Sequence, residues 1–486
     1  MKKMMPAFLM ALAAMTAAAT AQTTFNHMGI LPGANSSWAY AVSADGSVIA
    51  GRSGTNFYYG GSTHAVQWTS SGGLLDLDPL VNDSAAWGIS GDGIVMAGRG
   101  LSGSRGYRAF TWTAAGAIDH AFQGGELFGV SFDGTVSVGD QTDNAGTHAV
   151  RYSNSRTTRL DLDAGAFSSI AYGTNASGSI IVGIASLPSV GTRAFRWTES
   201  GGLVNLGQQT PGGISGAKGI SSDGSTIVGY TTILNRAHAW RWVGSTQTDM
   251  SLLADSTPLT STAQAASSDG STIVGSASWN GTTNHAFVWR ADTGMLDLND
   301  VMRQTLPAGW TLSDAYGVSA NGQVIVGGGI NPSGVPEGWI IGVPSCISPI
   351  LKGQPQSAST HEGEDVHFTV AAAGSGPFTY TWYHNAQIIS GANGHDLEVF
   401  PVTADSAGKY QCQVSNGCGS VMSAECDLSV NHCHGDFNDD GGIDGSDIDG
   451  FFAAWESGDS SADINADGGV DGDDVGSFMG HWEGGC

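Results

Sequence analysis

A unit of about 45 residues recurs seven times along this chain, and it limits the possible folds more than any other feature. The clearest copy spans residues 217–242 and alternates strand-forming runs with turn residues. It predicts three strands, with an Asp223-Gly224 turn between the first two, and a fourth strand follows in most copies. Self-similarity at this period is typical of a solenoid or a propeller of repeated β units.

Each copy contains a turn glycine, and the seven copies can be aligned on it. An Asp precedes it in five copies, while Ser177 and Asn321 take that place in the other two. The seven glycines are Gly46, Gly93, Gly134, Gly178, Gly224, Gly270 and Gly322. Asp-Gly and Asn-Gly supply the positive φ of a two-residue hairpin, so each copy is predicted to begin with a tight hairpin.

The third strand of each copy carries a short motif of one polar residue followed by apolar and aromatic residues. It reads HAVQW from His64, RAFTW from Arg108, HAVRY from His148, RAFRW from Arg193, HAWRW from His238, HAFVW from His285 and a degenerate EGWII from Glu337. The pattern resembles the HAF repeat of bacterial extracellular proteins, and the resemblance covers roughly residues 24–343.

The two ends of the repeat region complement each other. Residues 25–32 resemble a fourth strand and its turn, whereas the last copy stops at residues 342–344 without one. An N-terminal strand that completes the last unit would leave no open sheet edge. We therefore expect a mainly β protein in which residues 22–344 form a seven-bladed β-propeller.

Residues that recur in every copy are expected to be scaffold, because a ligand or catalytic group is needed once per molecule. The third-strand aromatics should pack between blades rather than stack on ligands. They are Trp68, Trp112, Tyr152, Trp197, Trp242 and Trp289. The motif histidines His64, His148, His238 and His285 are expected to be structural rather than metal ligands, and small first-strand residues such as Ala39, Ala41 and Ser43 suit the crowded centre.

A binding role is expected in the loops that differ between copies. The loop from Arg52 to Thr63 is long and carries Phe57, Tyr58 and Tyr59, and the connection from residue 299 to 313 presents Trp310. These aromatics suit stacking on a sugar or a peptide, or they pack on a neighbouring blade. The chain has no GxSxG, HExxH or phosphate-binding loop motif, so we predict no enzymatic activity.

The N-terminus and the net charge indicate an extracellular protein. Lys2 and Lys3 precede an apolar run that ends near Ala21, as in a secretory signal peptide spanning residues 1–21. No later apolar run is long enough to cross a membrane, so the mature chain should lack a transmembrane segment. A net charge of −26 argues against nucleic acid and anionic lipid as partners.

Residues 345–430 differ in composition from the repeats. Val366 and Phe368 alternate in one strand, Trp382 follows, and Tyr410 stands two residues before Cys412. This pattern resembles a bacterial immunoglobulin-like domain with a tyrosine corner. The first core cysteine is missing, with Val370 in its place. Such a domain acts as a spacer or as a recognition module, and the spacer is favoured.

Six cysteines allow several pairings in an oxidising compartment. We expect Cys412 to pair with Cys426 across the final hairpin, and Cys346 to pair with Cys418. A third bridge, between Cys433 and Cys486, would join the ends of the last domain. Anchoring through a free Cys486 is the alternative to that bridge.

Residues 431–486 hold two loops with the ligand spacing of calcium-binding EF-hand loops. Each places Asp or Asn oxygens at positions 1, 3, 5, 9 and 12, and a glycine carbonyl at position 7. The predicted ligands are Asp436, Asn438, Asp440, Gly442, Asp444 and Asp447 in the first loop, and Asp463, Asn465, Asp467, Gly469, Asp471 and Asp474 in the second. The pattern predicts two bound Ca²⁺ ions and an amphipathic helix after each loop.

Asp at position 12 and the lack of an entering helix resemble dockerin modules. The ending Gly484-Gly485-Cys486 is similar to the GC-type dockerins of planctomycete-like bacteria. This resemblance implies a cohesin-like or other anchoring partner at the cell surface.

Three functions fit these features. The first is a secreted, surface-attached binding or structural protein, in which the propeller stands on the immunoglobulin-like spacer and binds a polysaccharide or protein. The alternative is an extracellular carbohydrate-active enzyme, a glycosidase or lyase, with the propeller as catalytic domain. A protein-interaction platform without a small ligand is the third.

Overall fold

The structure is a computed structural model with two compact units, one ending at Ile347 and the other beginning at Ser348. It describes residues 23–55, 62–77, 83–101, 106–161, 165–207, 213–244, 246–250, 259–279, 281–431, 433–438, 440 and 442–484. The predicted signal peptide therefore lies outside the described residues. No helix in the described ranges is long and apolar enough to cross a membrane.

The described residues of the first unit form seven antiparallel sheets of four strands each. Sheets 1 to 6 each take four consecutive strands of the chain. Sheet 1 holds β2 (Ser36–Val42), β3 (Val48–Gly54), β4 (Thr63–Thr69) and β5 (Gly73–Asp76); sheet 2 holds β6 (Ala85–Ile89), β7 (Met96–Leu101), β8 (Tyr107–Thr113) and β9 (Gly116–Gln123); sheet 3 holds β10 (Gly125–Val130), β11 (Val136–Asp143), β12 (Gly146–Ser153) and β13 (Arg156–Arg159).

The next three sheets repeat this order, and a short helix, α1 (Leu298–Val301), follows the last of them. Sheet 4 holds β14 (Ser168–Thr174), β15 (Ile180–Leu187), β16 (Gly191–Thr198) and β17 (Gly202–Asn205); sheet 5 holds β18 (Ser215–Ile220), β19 (Thr226–Ile233), β20 (Arg236–Val243) and β21 (Thr246–Asp249); sheet 6 holds β22 (Thr260–Ala266), β23 (Thr272–Ser278), β24 (His285–Arg290) and β25 (Gly294–Asp297).

Sheet 7 takes its fourth strand from the start of the chain. It contains β26 (Thr311–Val318), β27 (Val324–Ile330) and β28 (Pro336–Gly342). The N-terminal β1 (Thr24–His27) pairs antiparallel with β28, and Phe25 lies opposite Ile341. The predicted pairing of the N-terminal strand with the last repeat is thus present.

The turn between the first two strands differs from the predicted two-residue hairpin. Gly46 has a φ of 81°, but Asp45 has no positive φ. The Gly46 amide donates to the Ser43 carbonyl at 3.0 Å, and Ser43 Oγ donates to Asp45 Oδ1 at 2.6 Å. The Asp therefore accepts hydrogen bonds inside a longer turn, and only the glycine adopts the left-handed conformation.

The core of this unit lies between adjacent sheets. One cluster joins Ala39, Ile49 and Val66 of sheet 1 to Val326 and Ile340 of sheet 7. Trp112 and Trp289 are almost fully buried, and the other third-strand aromatics are partly buried. The recurring aromatics therefore pack in the protein interior, where burial of apolar surface stabilises each sheet against its neighbour.

Backbone hydrogen bonds also link the hairpin turns of successive sheets. They join Ala44 N to Gly91 O, Asp92 N to Phe132 O, Phe132 N to Ala176 O, Ala176 N to Ser222 O, Asp223 N to Ser268 O, Ser268 N to Ala320 O and Ala320 N to Ala44 O. The last bond connects sheet 7 to sheet 1. A hydrogen bond to a serine hydroxyl also connects sheet 7 to sheet 1. The Gly338 amide of sheet 7 donates to Ser37 Oγ of sheet 1 at 3.1 Å.

Residues 350–431 form a β-sandwich-like domain in the second unit. Its strands are β29 (Ile350–Gly353), β30 (Ala358–His361), β31 (Val366–Thr369), β32 (Ala371–Ala373), β33 (Thr379–His384), β34 (Gln387–Ile388), β35 (Asp396–Val399), β36 (Gly408–Asn416), β37 (Gly419–Met422) and β38 (Cys426–Asn431). The main sheet has the order β30-β38-β36-β33-β34, with β37 also on β36. Trp382 is fully buried, and Tyr410 Oη donates to the Ser406 carbonyl at 2.8 Å, which completes the expected tyrosine corner.

The described residues of the C-terminal segment include two α-helices, α2 (Gly445–Ser457) and α3 (Gly472–Gly484). Each begins within the last positions of a predicted calcium loop. Phe451 of α2 and Phe478 of α3 are fully buried and stack with their ring centroids 4.2 Å apart. The predicted apolar faces of the two helices therefore form a small common core.

Candidate functional site

The motif histidines lie near the start of the third strand, and each contacts an aspartate that ends the fourth strand or, for Asp161, follows it by two residues. His64 Nδ1 is 3.0 Å from Asp76, His148 Nδ1 is 2.9 Å from Asp161, His238 Nδ1 is 3.3 Å from Asp249 and His285 Nδ1 is 2.6 Å from Asp297. Each pair joins two strands of one sheet. The geometry supports a structural role for these histidines.

Two of the other three copies keep the pair in altered form, whereas Arg193 of sheet 4 donates to two backbone carbonyls instead. Arg108 replaces the histidine in sheet 2 and lies 2.8 Å from Asp119. In sheet 7 the two residue types are exchanged, because Glu337 stands on the third strand and His27 of β1 supplies the imidazole at 2.8 Å. The exchange shows that β1 takes over the chemical role of a fourth strand as well as its backbone position.

A β-bulge interrupts the first strand of every sheet, and one large residue stands at the bulge. The register of β2 on β3 passes from Ala39 to Ala41 and leaves Tyr40 unpaired, and the other sheets repeat this shift. We call these seven residues the bulge residues: Tyr40, Trp87, Phe128, Tyr172, Lys218, Gln264 and Tyr316. A bulge turns an extra side chain out of the ladder, which is how these residues leave the sheet.

The seven bulge residues line one cavity of about 480 Å³. Small residues that follow them complete the wall, among them Ala41, Gly88 and Gly129. Sequence reasoning placed small residues such as Ala39 and Ala41 at the centre. Ala41 does reach the cavity, but Ala39 packs between sheets 1 and 7. The bulge residues themselves were missed, although each stands six residues before its turn glycine.

Aromatic rings follow one another around much of the cavity. The Tyr40 ring is 4.6 Å from Trp87 and 5.2 Å from Tyr316, measured between centroids. Phe128 lies 5.3 Å from Tyr172 in the same way. Edge-to-face and tilted contacts of this kind are favourable, and they hold the rings in fixed positions.

Lys218 is the one charged side chain on the cavity wall within the described residues. Its ammonium lies 3.7 Å from the centroid of the Tyr172 ring, which gives a cation–π contact. Burial lowers the pKa of Lys218 to about 8, because the charged form is removed from water.

Two arginines lie behind the rings of the first two sheets. The Arg52 guanidinium is 5.9 Å from the Tyr40 ring and 5.8 Å from the Trp87 ring. Arg99 lies 5.8 Å from the Trp87 ring and pairs with Glu126 at 2.6 Å. Both guanidinium groups therefore contact neighbouring protein groups. Neither arginine is among the residues that line the cavity.

Two carboxyl groups face each other across β10 and β11. Glu126 lies opposite Asp140 in the strand register, and burial together with the Glu126 charge raises the pKa of Asp140 to about 7. Neither residue belongs to the described cavity wall. Their proximity alone therefore does not provide an acid and a base that face the cavity.

The predicted ligand loop divides into two cases. Phe57, Tyr58 and Tyr59 lie outside the described residues. Trp310 is partly buried, and its ring packs edge-on against Phe25 of β1 with centroids 5.0 Å apart. The structure thus favours the second of the two interpretations for Trp310, namely packing within the protein.

Both predicted calcium loops have closely similar backbone arrangements. The Asp440 amide donates to Asp436 Oδ1 at 3.1 Å and to Asn438 Oδ1 at 2.9 Å. In the second loop the Asp467 amide donates to Asp463 at 3.1 Å and to Asn465 at 2.9 Å. In each loop the side chains at positions 1 and 3 therefore accept hydrogen bonds from the backbone amide of position 5.

The position-12 aspartates Asp447 and Asp474 are fully buried and accept backbone hydrogen bonds from their own loops. In the part of the chain described, no three His, Cys, Asp or Glu side chains converge as a metal-binding group. Each predicted set nevertheless combines Asp and Asn oxygens with the carbonyl of Gly442 or Gly469, which is the donor chemistry that Ca²⁺ takes. Calcium binding stays a prediction on this donor set.

The two loops are joined to each other through the helices. Trp455 Nε1 of α2 donates to the Asp471 carbonyl at 2.7 Å, and Trp482 Nε1 of α3 donates to the Asp444 carbonyl at 2.9 Å. Asp444 and Asp471 hold the same position in their loops. Each helix therefore supports the loop that precedes the other helix.

The cysteines follow the prediction in part. Cys346 and Cys418 form the expected disulfide. The predicted bridge between Cys412 and Cys426 is wrong, because both are buried free thiols. In the strand register Cys426 lies opposite Tyr410, two residues away from Cys412. Cys433 is disulfide-bonded, and its predicted partner Cys486 lies outside the described residues.

Comparison with known proteins identifies an immunoglobulin-like domain. An immunoglobulin-domain family model matches residues 348–416. The human leucine-rich repeats and immunoglobulin-like domains protein 1 is 29% identical over 104 residues, which cover 18% of this chain and 10% of that protein. The mouse leucine-rich repeats and immunoglobulin-like domains protein 3 is 30% identical over 102 residues, which cover 17% of this chain and 9% of that protein. The chain thus spans about a tenth of these relatives.

Solved structures resemble part of the chain. The I67–I69 fragment of the titin I-band is 26% identical, covers 18% of this chain and 33% of its own, and has a TM-score of 0.16. A putative TolB from Agrobacterium tumefaciens covers 44% of this chain and 79% of its own, with 13% identity and a TM-score of 0.35.

Proposed function

We propose that this chain is an extracellular, surface-attached binding protein whose repeat region is a seven-bladed β-propeller. In this proposal the immunoglobulin-like domain is a spacer and the C-terminal segment is a calcium-binding, dockerin-like attachment module. The observation that carries the binding role is a cavity to which each of the seven sheets contributes one bulge residue. A polysaccharide or a protein remains the proposed class of partner for the displayed region.

Two repeated contacts support the propeller. The chain of turn-to-turn hydrogen bonds ends on the residue where it started, since Ala320 donates to Ala44. The serine bond from Gly338 to Ser37 joins the same two sheets. An open solenoid would leave the first and last sheets without these contacts and with an exposed edge to protect.

The attachment role is supported by the duplicated acidic loops. Their position-1 and position-3 side chains accept hydrogen bonds from the position-5 amide, and the position-5 side chain accepts one from the position-7 amide. Bound Ca²⁺ would balance the negative charge of these carboxylates. It would also stabilise the small core that depends on Phe451 and Phe478. The partner is expected to be a cohesin-like or other surface protein.

Calorimetric titration of the full chain with Ca²⁺ tests the attachment module. We expect two bound ions, one for Asp463→Asn, and two for the control Asp449→Asn, whose exposed side chain lies outside both ligand sets. Cells that produce the protein should release it when a chelator removes calcium. Failure of the wild-type chain to bind Ca²⁺, or an unchanged stoichiometry in Asp463→Asn, would show that the calcium assignment is wrong.

A further inference from the structure

Lys218 is an unusual residue in both the sequence and the cavity. It is the only lysine between residues 4 and 351, and it occupies a position that holds an aromatic ring in five of the other six sheets. Gln264 takes that position in the sixth sheet. The ammonium therefore makes one of the seven equivalent positions on the cavity wall different from the others. A site for one ligand requires such a difference.

Among the described residues, Lys218 has no carboxylate partner. An ammonium has three hydrogen-bond donors, but the contact described for Lys218 is with the face of the Tyr172 ring. No carboxylate in the described part of the chain forms an ion pair with it, and burial acts against its charged form. Because a buried charge is costly unless it is paired, an anionic group beside Lys218 would be favourable.

The rest of the wall favours a ring-shaped body for the ligand. Trp87, Phe128 and Tyr172 present aromatic surface, on which the apolar face of a ring can stack. Trp87 Nε1 is buried and has no hydrogen-bond acceptor within the described residues. A cavity of about 480 Å³ lies within the range of small-molecule sites and suits a molecule of one or two rings.

The charges around the cavity favour a monoanion, such as a carboxylate, over a dianion. Arg99 is paired with Glu126, and Arg52 lies against the rings of Tyr40 and Trp87, so a single ammonium reaches the cavity. One ammonium balances one negative charge, whereas a phosphate dianion needs more positive charge or a cluster of backbone amides. A cationic ligand would be repelled by Lys218.

We propose that the cavity binds a small ring-bearing carboxylate, with the carboxylate on Lys218 and the ring against Trp87, Phe128 and Tyr172. This inference specifies the ligand class for the proposed binding role, and it does not depend on the calcium module. Two sources supply such a group: an acidic sugar, whose carboxylate is attached to a pyranose ring, and an aromatic acid.

Calorimetric titration of the full chain with two matched pairs of probes tests the proposal. The pairs are glucuronate with methyl glucoside, and benzoate with benzyl alcohol. We expect the acid of one pair to bind at least about tenfold more tightly than its neutral partner, because a charge-assisted hydrogen bond forms. The pair that shows this difference identifies the source of the carboxylate.

Lys218→Gln provides the matching variant, since Gln264 already occupies the equivalent position in sheet 6. It should lose at least about tenfold in affinity for the acid while its affinity for the neutral partner stays the same. Lys352→Met, a loss of charge on the exposed Lys352 outside the repeat region, should bind like the wild type.

The failures separate the two proposals. Equal binding of acid and neutral partner, or full affinity in Lys218→Gln, would overturn the carboxylate assignment and leave the cavity as a binding site. Absence of binding by both acids at millimolar concentration would also overturn the carboxylate assignment. Neutral binding that persists when Trp87 is changed to Ala would instead count against the cavity itself.

Discussion

Single residues of the repeat region differ in charge and size at positions where the backbone is equivalent. Asp140 follows a buried glycine of β11, and the same place in sheets 1 and 2 holds Arg52 and Arg99. Burial and the charge of Glu126 raise the pKa of Asp140 to about 7. The sequence repeat therefore places an acidic group where its ionisation opposes folding.

Asp140→Asn should stabilise the repeat region at high pH. In the wild type the unfolded chain ionises Asp140 near pH 4 and the folded chain only near pH 7, so stability falls as pH rises through this window and then levels. A shift of this size corresponds to up to about 4 kcal/mol. We expect a higher melting temperature for the variant at pH 8 and little difference at pH 4.

The exposed Asp292 provides the control, because Asp292→Asn should leave the melting temperature unchanged at pH 8. A variant Asp140→Asn that melts like the wild type at pH 8 would contradict the raised pKa.

Gly88 is required by the close approach of two first strands. A methyl group at Gly88 would lie 2.4 Å from the Phe128 carbonyl oxygen, which is backbone and cannot move aside. Gly173 holds the equivalent place in sheet 4, where the nearest atom would be at an ordinary 3.5 Å. We expect Gly88→Ala to lose roughly 2 kcal/mol in urea unfolding and Gly173→Ala to lose much less. Similar losses in both variants would contradict this account.

Among the elements, strands β36 and β38 show how register decides chemistry. Their pairing sets Cys426 opposite Tyr410, so the two thiols do not come together as a bridge. Burial raises the pKa of Cys412 to about 11, and it also raises the pKa of Cys426. Both groups are therefore protonated thiols at neutral pH, the form that reacts slowly with disulfide reagents.

A thiol assay should detect these cysteines only after unfolding. The native chain is expected to react slowly with a disulfide reagent at pH 8, and in denaturant Cys412 and Cys426 should both react at once. Mass mapping of the labelled peptides checks which residues react. A protein without reactive thiols in denaturant would show instead that Cys412 and Cys426 are bridged.

At the scale of the whole molecule, β1 is the segment that joins the start of the repeat region to its end. It supplies the fourth strand of sheet 7, and His27 pairs with Glu337. Met28 adds a buried side chain to the cluster between sheets 1 and 7. The proposed propeller therefore depends on residues more than three hundred positions apart in the chain.

Deletion of residues 24–28 should destabilise the repeat region more than any substitution above. It exposes the edge of β28 and removes Met28 from the core, and burial of one such side chain contributes about 2 kcal/mol. We expect a lower melting temperature for the repeat region and an unchanged transition for the immunoglobulin-like domain. His27→Ala, which keeps the strand, should lower the melting temperature of the repeat region much less. An equal decrease would show that the stability comes from the contact between His27 and Glu337 and not from the strand.

The sequence alone determined the features that depend on local chemistry. The turn glycines marked seven hairpins, and Tyr410 marked the tyrosine corner, because such residue types have strong preferences for particular backbone conformations. The spacing of Asp and Asn in the last segment defined two loops whose backbones are alike. The predicted N-terminal strand also pairs with β28, in the last repeat, which lacks a fourth strand of its own.

Only the tertiary structure decided which side chains share a site. Tyr40, Lys218 and Tyr316 are far apart in sequence, and a bulge in each first strand turns them toward one cavity. Bulges and the register between distant strands result from packing over the whole unit, which no local pattern encodes. For the same reason the pairing of Cys412 was predicted wrongly, while that of Cys346 was confirmed.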